Sequence, residues 1–140
     1  MVKITGTSKA NTLKGQSTSD DIYGYAGNDK LFGYGGNDDL EGGAGNDWLQ
    51  GGTGNDELTG GAGRDTFVFT TGKTEIEDFR ADFDTIEIAK SLGVSSFADL
   101  TDIARTADGG KDVVFDFGQS ELRLEDTKLA DLSASDFLFV

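Results

Sequence analysis

The sequence predicts an all-β protein whose short strands wind into a solenoid of two facing parallel sheets, with 18 residues per coil. A mostly β C-terminal segment with one or two short helices is expected to cap this solenoid. Three observations predict the fold. Glycine recurs every nine residues from Gly6 to Gly60, and an acidic and a large apolar residue each keep a fixed place within the nine. After Val68 this pattern gives way to an ordinary alternation of polar and apolar residues.

Seven nonapeptides carry the periodic pattern. They read GTSKANTLK, GQSTSDDIY, GYAGNDKLF, GYGGNDDLE, GGAGNDWLQ, GGTGNDELT and GGAGRDTFV. The sixth position holds Asn11, Asp20, Asp29, Asp38, Asp47, Asp56 and Asp65, and the eighth is a large apolar residue in all seven. A flexible linker would also be rich in glycine, but a linker has no reason to keep a fixed register.

Each part of the repeat has a physical role. The apolar eighth residue between polar neighbours predicts a short strand with one side chain pointing inward. The six residues before it are too rich in glycine for a strand or helix, and predict a turn with positive φ angles or close backbone packing. Because two repeats complete one coil, residues 18 apart should stack in parallel, about 4.8 Å from each other.

Stacking brings the acidic residues together in two columns, one with Asp29, Asp47 and Asp65 and the other with Asp20, Asp38 and Asp56. The like charges repel, and one Leu-sized side chain contributes only about 2 kcal/mol of burial against the ordering of nine residues. A cation between successive turns would resolve both problems. Oxygen ligands in a flexible arrangement favour Ca²⁺ over Mg²⁺, and there is no soft ligand for zinc.

The composition excludes several classes of function. Among 140 residues, 26 are acidic and 12 basic, which gives a net charge of −14 and disfavours nucleic acid as a partner. The chain has no Cys and no His, so thiolate or imidazole zinc sites, Ser-His-Asp triads and cysteine nucleophiles are excluded. No apolar run is long enough to cross a membrane, and residues 1–15 do not read as a signal peptide.

The nonapeptide resembles GGxGxDxUx, the calcium-binding repeat of the RTX (repeat-in-toxin) family, most closely over residues 24–68 and less over 6–23. The resemblance implies a right-handed parallel β-roll over residues 6–68, similar to the C-terminal modules of serralysin-type proteases and mannuronan C5-epimerases. It also implies about four or five Ca²⁺ ions, held by the repeat Asp carboxylates and by backbone carbonyls of the glycine turns.

In the family's geometry, one turn gives carbonyls from its first and third residues and the other from its second and fourth. The positions carried over are Gly24, Tyr25, Ala26, Gly27, Gly33, Tyr34, Gly35, Gly36, Gly42, Gly43, Ala44, Gly45, Gly51, Gly52, Thr53, Gly54, Gly60, Gly61, Ala62 and Gly63. Tyr25 and Tyr34 depart from the pattern, because a side chain restricts φ while leaving the carbonyl in place. Since Asn11 replaces Asp, no full-strength site is expected between residues 11 and 29.

Residues 69–140 are expected to cap the open end of the roll, since an open end exposes strand edges. Residues 95–104 predict a short helix in which Ser96 and Asp99 have capping-box spacing. Residues 112–124 predict a hairpin that sets Val113, Phe115 and Phe117 against Leu122 and Leu124. The acidic residues at the junction predict either a solvated face or a further calcium site, and they are Glu75, Glu77, Asp78, Asp82 and Asp84.

The chain ends in DFLFV, and these residues are Asp136, Phe137, Leu138, Phe139 and Val140. The segment resembles the terminal motif of RTX proteases and lipases that type I secretion machinery reads, although a final core strand would look the same. The resemblance implies a protein secreted to the extracellular space by a Gram-negative bacterium, with the secretion machinery as a transient partner.

Two functions remain open. The first is a non-catalytic calcium-binding module that folds on Ca²⁺ outside the cell, supports type I secretion and stabilises an attached domain. The second is a binding module for a polysaccharide such as alginate, with Trp48 and Phe32 as stacking platforms beside Lys30 and Lys14. The competing interpretation of Trp48 is that it packs beneath the cap. No acidic residue is marked as catalytic, so we expect any enzyme activity in another part of a larger protein.

Overall fold

The computed structural model describes residues 1–140, and almost all of its regular structure is β. Its strands, in chain order, are β1 (Val2–Thr5), β2 (Thr12–Lys14), β3 (Asp20–Ala26), β4 (Lys30–Gly35), β5 (Asp39–Ala44), β6 (Trp48–Thr53), β7 (Asn55–Ala62), β8 (Thr66–Phe69), β9 (Lys73–Ile76), β10 (Thr85–Ile88), β11 (Ala104–Ala107), β12 (Asp112–Asp116), β13 (Glu121–Leu124) and β14 (Phe137–Phe139). One α-helix, α1 (Phe97–Asp102), and four 3₁₀ turns complete the fold.

Strands β1 to β10 alternate between two sheets, β11 to β13 all join sheet A, and β14 joins sheet B. Sheet A has the order β1-β3-β5-β7-β9-β13-β12-β11, and sheet B has the order β14-β10-β8-β6-β4-β2. Within the repeats all pairs are parallel, with Ile22 opposite Leu40 in sheet A and Leu31 opposite Leu49 in sheet B. Each pair is 18 residues apart, which confirms the predicted solenoid of two parallel sheets.

The inward-facing apolar residues form the core of the roll. The eighth-position side chains of five consecutive repeats are fully buried, and they are Ile22, Leu31, Leu40, Leu49 and Leu58. The same hydrophobic cluster of 19 residues reaches Phe115, Leu124 and Phe137 near the C-terminus. The core is therefore continuous from the repeats into the C-terminal segment.

The coil extends beyond the glycine repeats at both ends. Strand β1 places Ile4 beside Ile22, and β9 places Ile76 beside Leu58. Strand β10 then places Ile86 beside Phe67. The glycines keep their period only to Gly60, but the strands of both sheets continue past Val68 because the inward apolar residue is still supplied.

The C-terminal segment joins both sheets. Strands β12 and β13 form an antiparallel hairpin with Val113 opposite Leu124 and Phe115 opposite Leu122, as the sequence predicts. Strand β13 also pairs in parallel with β9, so the hairpin extends sheet A. Helix α1 begins where predicted, with the Ser96 Oγ accepting the Asp99 N–H at 3.2 Å. None of the helical segments has the length and apolar character needed to cross a bilayer.

Candidate metal centre

The two oxygens of each central repeat carboxylate lie in different surroundings. Oδ1 accepts a hydrogen bond from the backbone N–H of the residue 18 positions earlier, so that Asp29 donates to Asp47 at 2.8 Å and Asp47 donates to Asp65 at 2.9 Å. In the other column, Asp20 donates to Asp38 at 2.9 Å and Asp38 donates to Asp56 at 3.1 Å. The structure thus builds both predicted columns of stacked carboxylates.

Oδ2 has no partner in the middle of the columns. Five buried side-chain oxygens lack any hydrogen bond, and they are the Oδ2 atoms of Asp29, Asp38, Asp47, Asp56 and Asp65. No other buried side-chain nitrogen or oxygen of the chain is left without a partner. Leaving a neutral polar atom buried and unpaired costs about 1–3 kcal/mol, and a charged oxygen costs more. The repetition of this feature is the observation that fits a bound cation.

The raised pKa values of the column carboxylates also fit a bound cation. Burial raises the pKa of Asp56 to about 7, and the neighbouring Asp38 carboxylate adds to the effect while the Asp38 N–H opposes it. Burial likewise raises the pKa of Asp65 to about 6 and shifts the pKa values of Asp38 and Asp47 upward. Without a counter-ion these carboxylates are therefore unfavourable as anions.

The first glycine of each turn is required by close approach of the carboxylate. A Cβ at Gly24 would lie 2.5 Å from Asp29 Oδ2, and a Cβ at Gly42 would lie 2.5 Å from Asp47 Oδ2. Each unpaired oxygen is thus folded back onto the backbone of its own turn. No group of three or more acidic side chains converges on a common point that could hold a metal ion.

Asp20 differs from the other five acidic residues that the sequence predicts as ligands. Its Oδ2 accepts the backbone N–H of Gln16 at 2.6 Å, and its Oδ1 accepts the N–H of Val2 at 3.0 Å. Asn11 is satisfied in a similar way, with Oδ1 accepting the N–H of Thr7 at 2.7 Å. Protein groups therefore close both columns at their N-terminal ends.

The predicted ligand turns stack as the pattern requires, and two of them contain a strained residue. Tyr25 and Tyr34 have φ angles of 75° and 74°, in the left-handed region that glycine occupies at the same position of later turns. Gly45, at the fourth position, cannot carry a side chain, because its backbone passes directly beside the carbonyl oxygen of Gly27. The sequence indicated the tyrosine departures, and the structure places them on exposed surface.

The junction acids do not act as one group. Asp78 accepts the N–H groups of Gly60 and Gly61 at 2.8 and 2.7 Å, and Glu77 accepts the Thr59 hydroxyl at 2.8 Å. Glu75 lies 3.4 Å from Arg123. Asp82 is exposed on the surface. Asp84 instead continues a carboxylate column, because its Oδ1 accepts the Asp65 N–H at 3.0 Å.

The predicted ligand-binding residues share the outer face of sheet B. Trp48 is half-buried, its ring centroid 5.0 Å from that of Phe32. Lys30 lies beside Trp48 in the register, and Lys14 lies beside Phe32. Sequence reasoning missed Tyr34 as a member of this face, although its ring stacks on Phe32 at 5.9 Å.

Three of the last five residues, Phe137–Phe139, form β14, which adds to the edge of sheet B beside β10. Asp136 is buried, and its carboxylate accepts the N–H groups of Asp82 and Ser133, both at 2.8 Å. Phe137 points into the core, whereas Leu138 and Val140 are 52% and 60% exposed. The terminal segment therefore presents one buried and one exposed row of side chains.

Comparison with known proteins bears on the repeats and on the fold. The family model described as "RTX calcium-binding nonapeptide repeat (4 copies)" matches residues 5–40 and 32–67. A search of curated protein sequences gave no match. The extracellular lipase LipA from Serratia marcescens is similar in structure, with a TM-score of 0.56 and 15% identity over 99% of this chain. The chain spans 40% of that lipase, and the likeness shows a shared fold.

Two solved subunits of the Azotobacter vinelandii mannuronan C5-epimerase are also similar, each at 29% identity. The AlgE6R3 subunit has a TM-score of 0.47, and the match covers 94% of this chain and 80% of that one. The AlgE6R2 subunit has a TM-score of 0.49, with 97% of this chain and 91% of that one covered.

Proposed function

We propose that the chain is a non-catalytic module that folds when it binds Ca²⁺. The match of residues 5–67 to the RTX calcium-binding nonapeptide repeat supports this proposal. One observation carries the proposal: five stacked Asp residues each keep a buried Oδ2 without a partner. The carboxylates of Asp29, Asp38, Asp47, Asp56 and Asp65 would hold the ions together with turn carbonyls. Each Ca²⁺ supplies two positive charges in an environment that otherwise leaves these oxygens uncompensated.

Coupling between binding and folding follows from the same charges. The chain carries a net charge of −14, and its roll buries carboxylates whose anionic form is unfavourable there. A ligand that binds the folded state and not the unfolded state shifts the equilibrium towards the folded state. The roll is therefore expected to remain largely unfolded at the low calcium of a cytoplasm and to fold in a calcium-rich medium outside the cell.

This coupling would serve secretion. An expanded chain suits a narrow export channel, and folding outside would draw the chain from the channel and stabilise a domain attached to it. We propose that type I secretion machinery reads the terminal segment of residues 136–140, in which the Leu138 and Val140 side chains stay accessible. Any catalytic activity would belong to another part of a larger secreted protein. The fully buried acids of raised pKa, Asp38, Asp47, Asp56 and Asp65, lie in the carboxylate columns. Glu125, whose pKa is raised to about 7 chiefly by its hydrogen bond with Glu75, is only partly buried.

Calorimetric titration of the full chain with Ca²⁺, with Mg²⁺ as the matched control, tests the calcium proposal. We expect several calcium ions to bind, and the roll to fold as they bind. Mg²⁺ should substitute poorly, because it demands a small octahedral site. Equal binding of both ions, or no calcium binding at millimolar concentration, would contradict it.

A second function, polysaccharide binding on sheet B, is favoured by the aromatic surface there. Phe32 packs on both Trp48 and Tyr34, and Tyr34 keeps a strained backbone at an exposed position where glycine would be unstrained. Strain of this kind is often retained at functional sites. Lys14 and Lys30 would attract a polyanionic sugar to the rings.

Trp48 is the only tryptophan of the chain, so its fluorescence reports on this face alone. Alginate oligosaccharides added to the calcium-loaded protein should change the emission, and Tyr34→Gly should weaken the response. Tyr25→Gly is the control, because Tyr25 has the same strained φ but stacks on Tyr23 in sheet A. A Trp48 emission spectrum that the oligosaccharides do not change would contradict the second function.

A further inference from the structure

We propose that the Arg80 guanidinium is a built-in cation that takes the place of calcium at the last step of one carboxylate column, between Asp65 and Asp84. The inference rests on the proposed function, because it assumes that calcium occupies the preceding steps. The chain itself supplies the positive charge at this step. The row of metal sites in this column therefore ends before the step from Asp65 to Asp84.

The column continues to Asp84 without a change in its hydrogen bonding. Asp65 donates its N–H to Asp84 Oδ1 at 3.0 Å, as Asp47 does to Asp65 at 2.9 Å. Asp84 is 3% exposed, which is as buried as the repeat aspartates. The spacing here is 19 residues instead of 18, so one residue has been inserted while the carboxylate has kept its place in the stack.

Arg80 Nη2 lies among the oxygens of this step. It is 3.3 Å from Asp84 Oδ1 and 4.0 Å from Asp65 Oδ2, and it donates a hydrogen bond to the Gly63 carbonyl oxygen. Two successive carboxylates and a turn carbonyl are the same kinds of ligand that a calcium ion would have between other turns. Nη2 of Arg80 therefore lies close to the same kinds of oxygen that would coordinate a metal ion.

The second oxygen of Asp84 distinguishes this step from the others. Asp84 Oδ2 accepts the Arg80 backbone N–H at 2.9 Å and lies 3.4 Å from the Arg80 Nε. Asp84 is therefore absent from the five residues whose Oδ2 is buried and unpaired. Asp65 Oδ2 remains without a hydrogen bond and lies at ion-pair distance from Arg80 Nη2.

An arginine suits this task for two reasons. Its charge persists at any physiological pH, and its planar group offers several donors in fixed directions. Because the side chain is anchored to the protein, this end of the roll gains its counter-charge without calcium. The last coil, where β10 meets the C-terminal strand β14, is then held electrostatically even when free calcium is scarce.

Native mass spectrometry of the calcium-loaded full chain tests the assignment by counting ions. Arg80→Ala removes the cation but keeps the backbone N–H that holds Asp84, so it should bind one more Ca²⁺ than the wild type. Arg64→Ala is the matched control, because the Arg64 guanidinium lies 5.2 Å from the Phe83 ring and outside the column. The control should keep the wild-type count.

The double variant Arg80→Ala with Asp84→Asn should return to the wild-type count, because it also removes a carboxylate from the new site. Folding of each variant is followed by circular dichroism. An Arg80→Ala protein that folds with the wild-type count would overturn the proposal, and so would one that fails to fold at saturating calcium, since calcium should replace the guanidinium. A wild-type count of zero would overturn the proposed function itself, and this proposal with it.

Discussion

The backbone N–H of Asp47 donates to Oδ1 of Asp65 at 2.9 Å across one full coil, and the second oxygen of Asp65 stays buried without a hydrogen bond. One carboxylate thus has two separate tasks. Its Oδ1 helps to join successive coils, and its Oδ2 remains available to a cation. Because the relationship repeats along both columns, a defect at one Asp should affect the coils on either side of it.

Asp47→Asn should reduce calcium binding more than Asp20→Asn. Asp47 lies in the middle of its column with an unpaired Oδ2, whereas Asp20 is at an end and its Oδ2 is bonded to Gln16. Asparagine keeps an oxygen for the coil-to-coil hydrogen bond, so the change isolates the effect of the charge. Removing each charged interaction should cost about 1.5–3 kcal/mol.

The measurement is the number of bound ions and the calcium concentration at half-folding. Asp38→Asn should behave like Asp47→Asn, since Asp38 holds the equivalent place in the second column. Equal losses from Asp47→Asn and Asp20→Asn would contradict the inference that calcium binds the carboxylates whose Oδ2 is unpaired.

Calcium affinity should fall as the pH is lowered from 8 to 5. Burial raises the pKa of Asp56 to about 7, above its ordinary value of 3.8. A raised folded-state pKa favours the metal-free fold at pH values below the unfolded pKa, and this stabilisation is lost as the pH rises through about 7. Acid should therefore partly stabilise the metal-free roll, while protons compete with calcium for the carboxylates.

Circular dichroism in chelator at pH 5 and pH 8 measures how far acid stabilises the metal-free roll. Calcium titration at each pH then measures how far acid weakens calcium binding. The half-folding calcium concentration should be higher at pH 5. A calcium midpoint that does not move between these pH values would show that the column carboxylates are already ionised before the metal binds.

The repeat pattern was sufficient to predict the columns. Asp at the sixth place of six of the seven nonapeptides and an apolar residue at the eighth place of all seven leave one winding that aligns both. It was not sufficient at the ends. Ile4 and Ile76 keep the nine-residue spacing of the apolar position, but only three residues precede Ile4, and Phe69 and Thr70 replace the first two glycines of the turn before Ile76. Their strands were therefore not predicted as coils of the roll.

Asp84 and Arg80 could not be placed from the sequence for a different reason. The 19-residue step to Asp84 breaks the period, so the residue looked like one of several junction acids. Arg80 reaches the column from four residues earlier. That interaction depends on the path of the turn and the length of the side chain, and neither appears in a periodic pattern.

Tyr34→Gly should stabilise the calcium-bound protein by up to about 1 kcal/mol, because glycine adopts its φ of 74° without a steric penalty. Part of the gain is offset by the loss of stacking on Phe32. Gly45→Ala should have the opposite effect, since a Cβ there meets the Gly27 carbonyl oxygen. Thermal unfolding at fixed calcium measures both, and a stabilised Gly45→Ala would contradict the stacked-turn geometry.

Phe137→Ala and Leu138→Asp should separate the two roles of the terminal strand. Phe137 is 4% exposed and packs on Phe97 and Phe115 with ring centroids 5.6 and 5.9 Å away. Its removal should destabilise the C-terminal core by about 3–5 kcal/mol. Leu138 is 52% exposed, so Leu138→Asp should leave stability nearly unchanged.

Export of both variants through a reconstituted type I system, beside thermal unfolding of the purified proteins, provides the readout. If the machinery reads the tail, Leu138→Asp should lower export while the protein remains stable. Unchanged export of Leu138→Asp and of a matching Val140→Asp variant would mean that the terminal strand serves the fold alone.

Calcium binding and folding of the roll are expected to depend on each other. Far-UV circular dichroism of the full chain during calcium titration tests this dependence most directly. In excess chelator at pH 8 the spectrum should be that of a largely unfolded chain, with any residual structure in the C-terminal segment, which has the larger aromatic core. Added calcium should produce the β spectrum cooperatively at about 10⁻⁴–10⁻³ M, the range of extracellular modules. A complete β spectrum in chelator that calcium does not alter would contradict the claim.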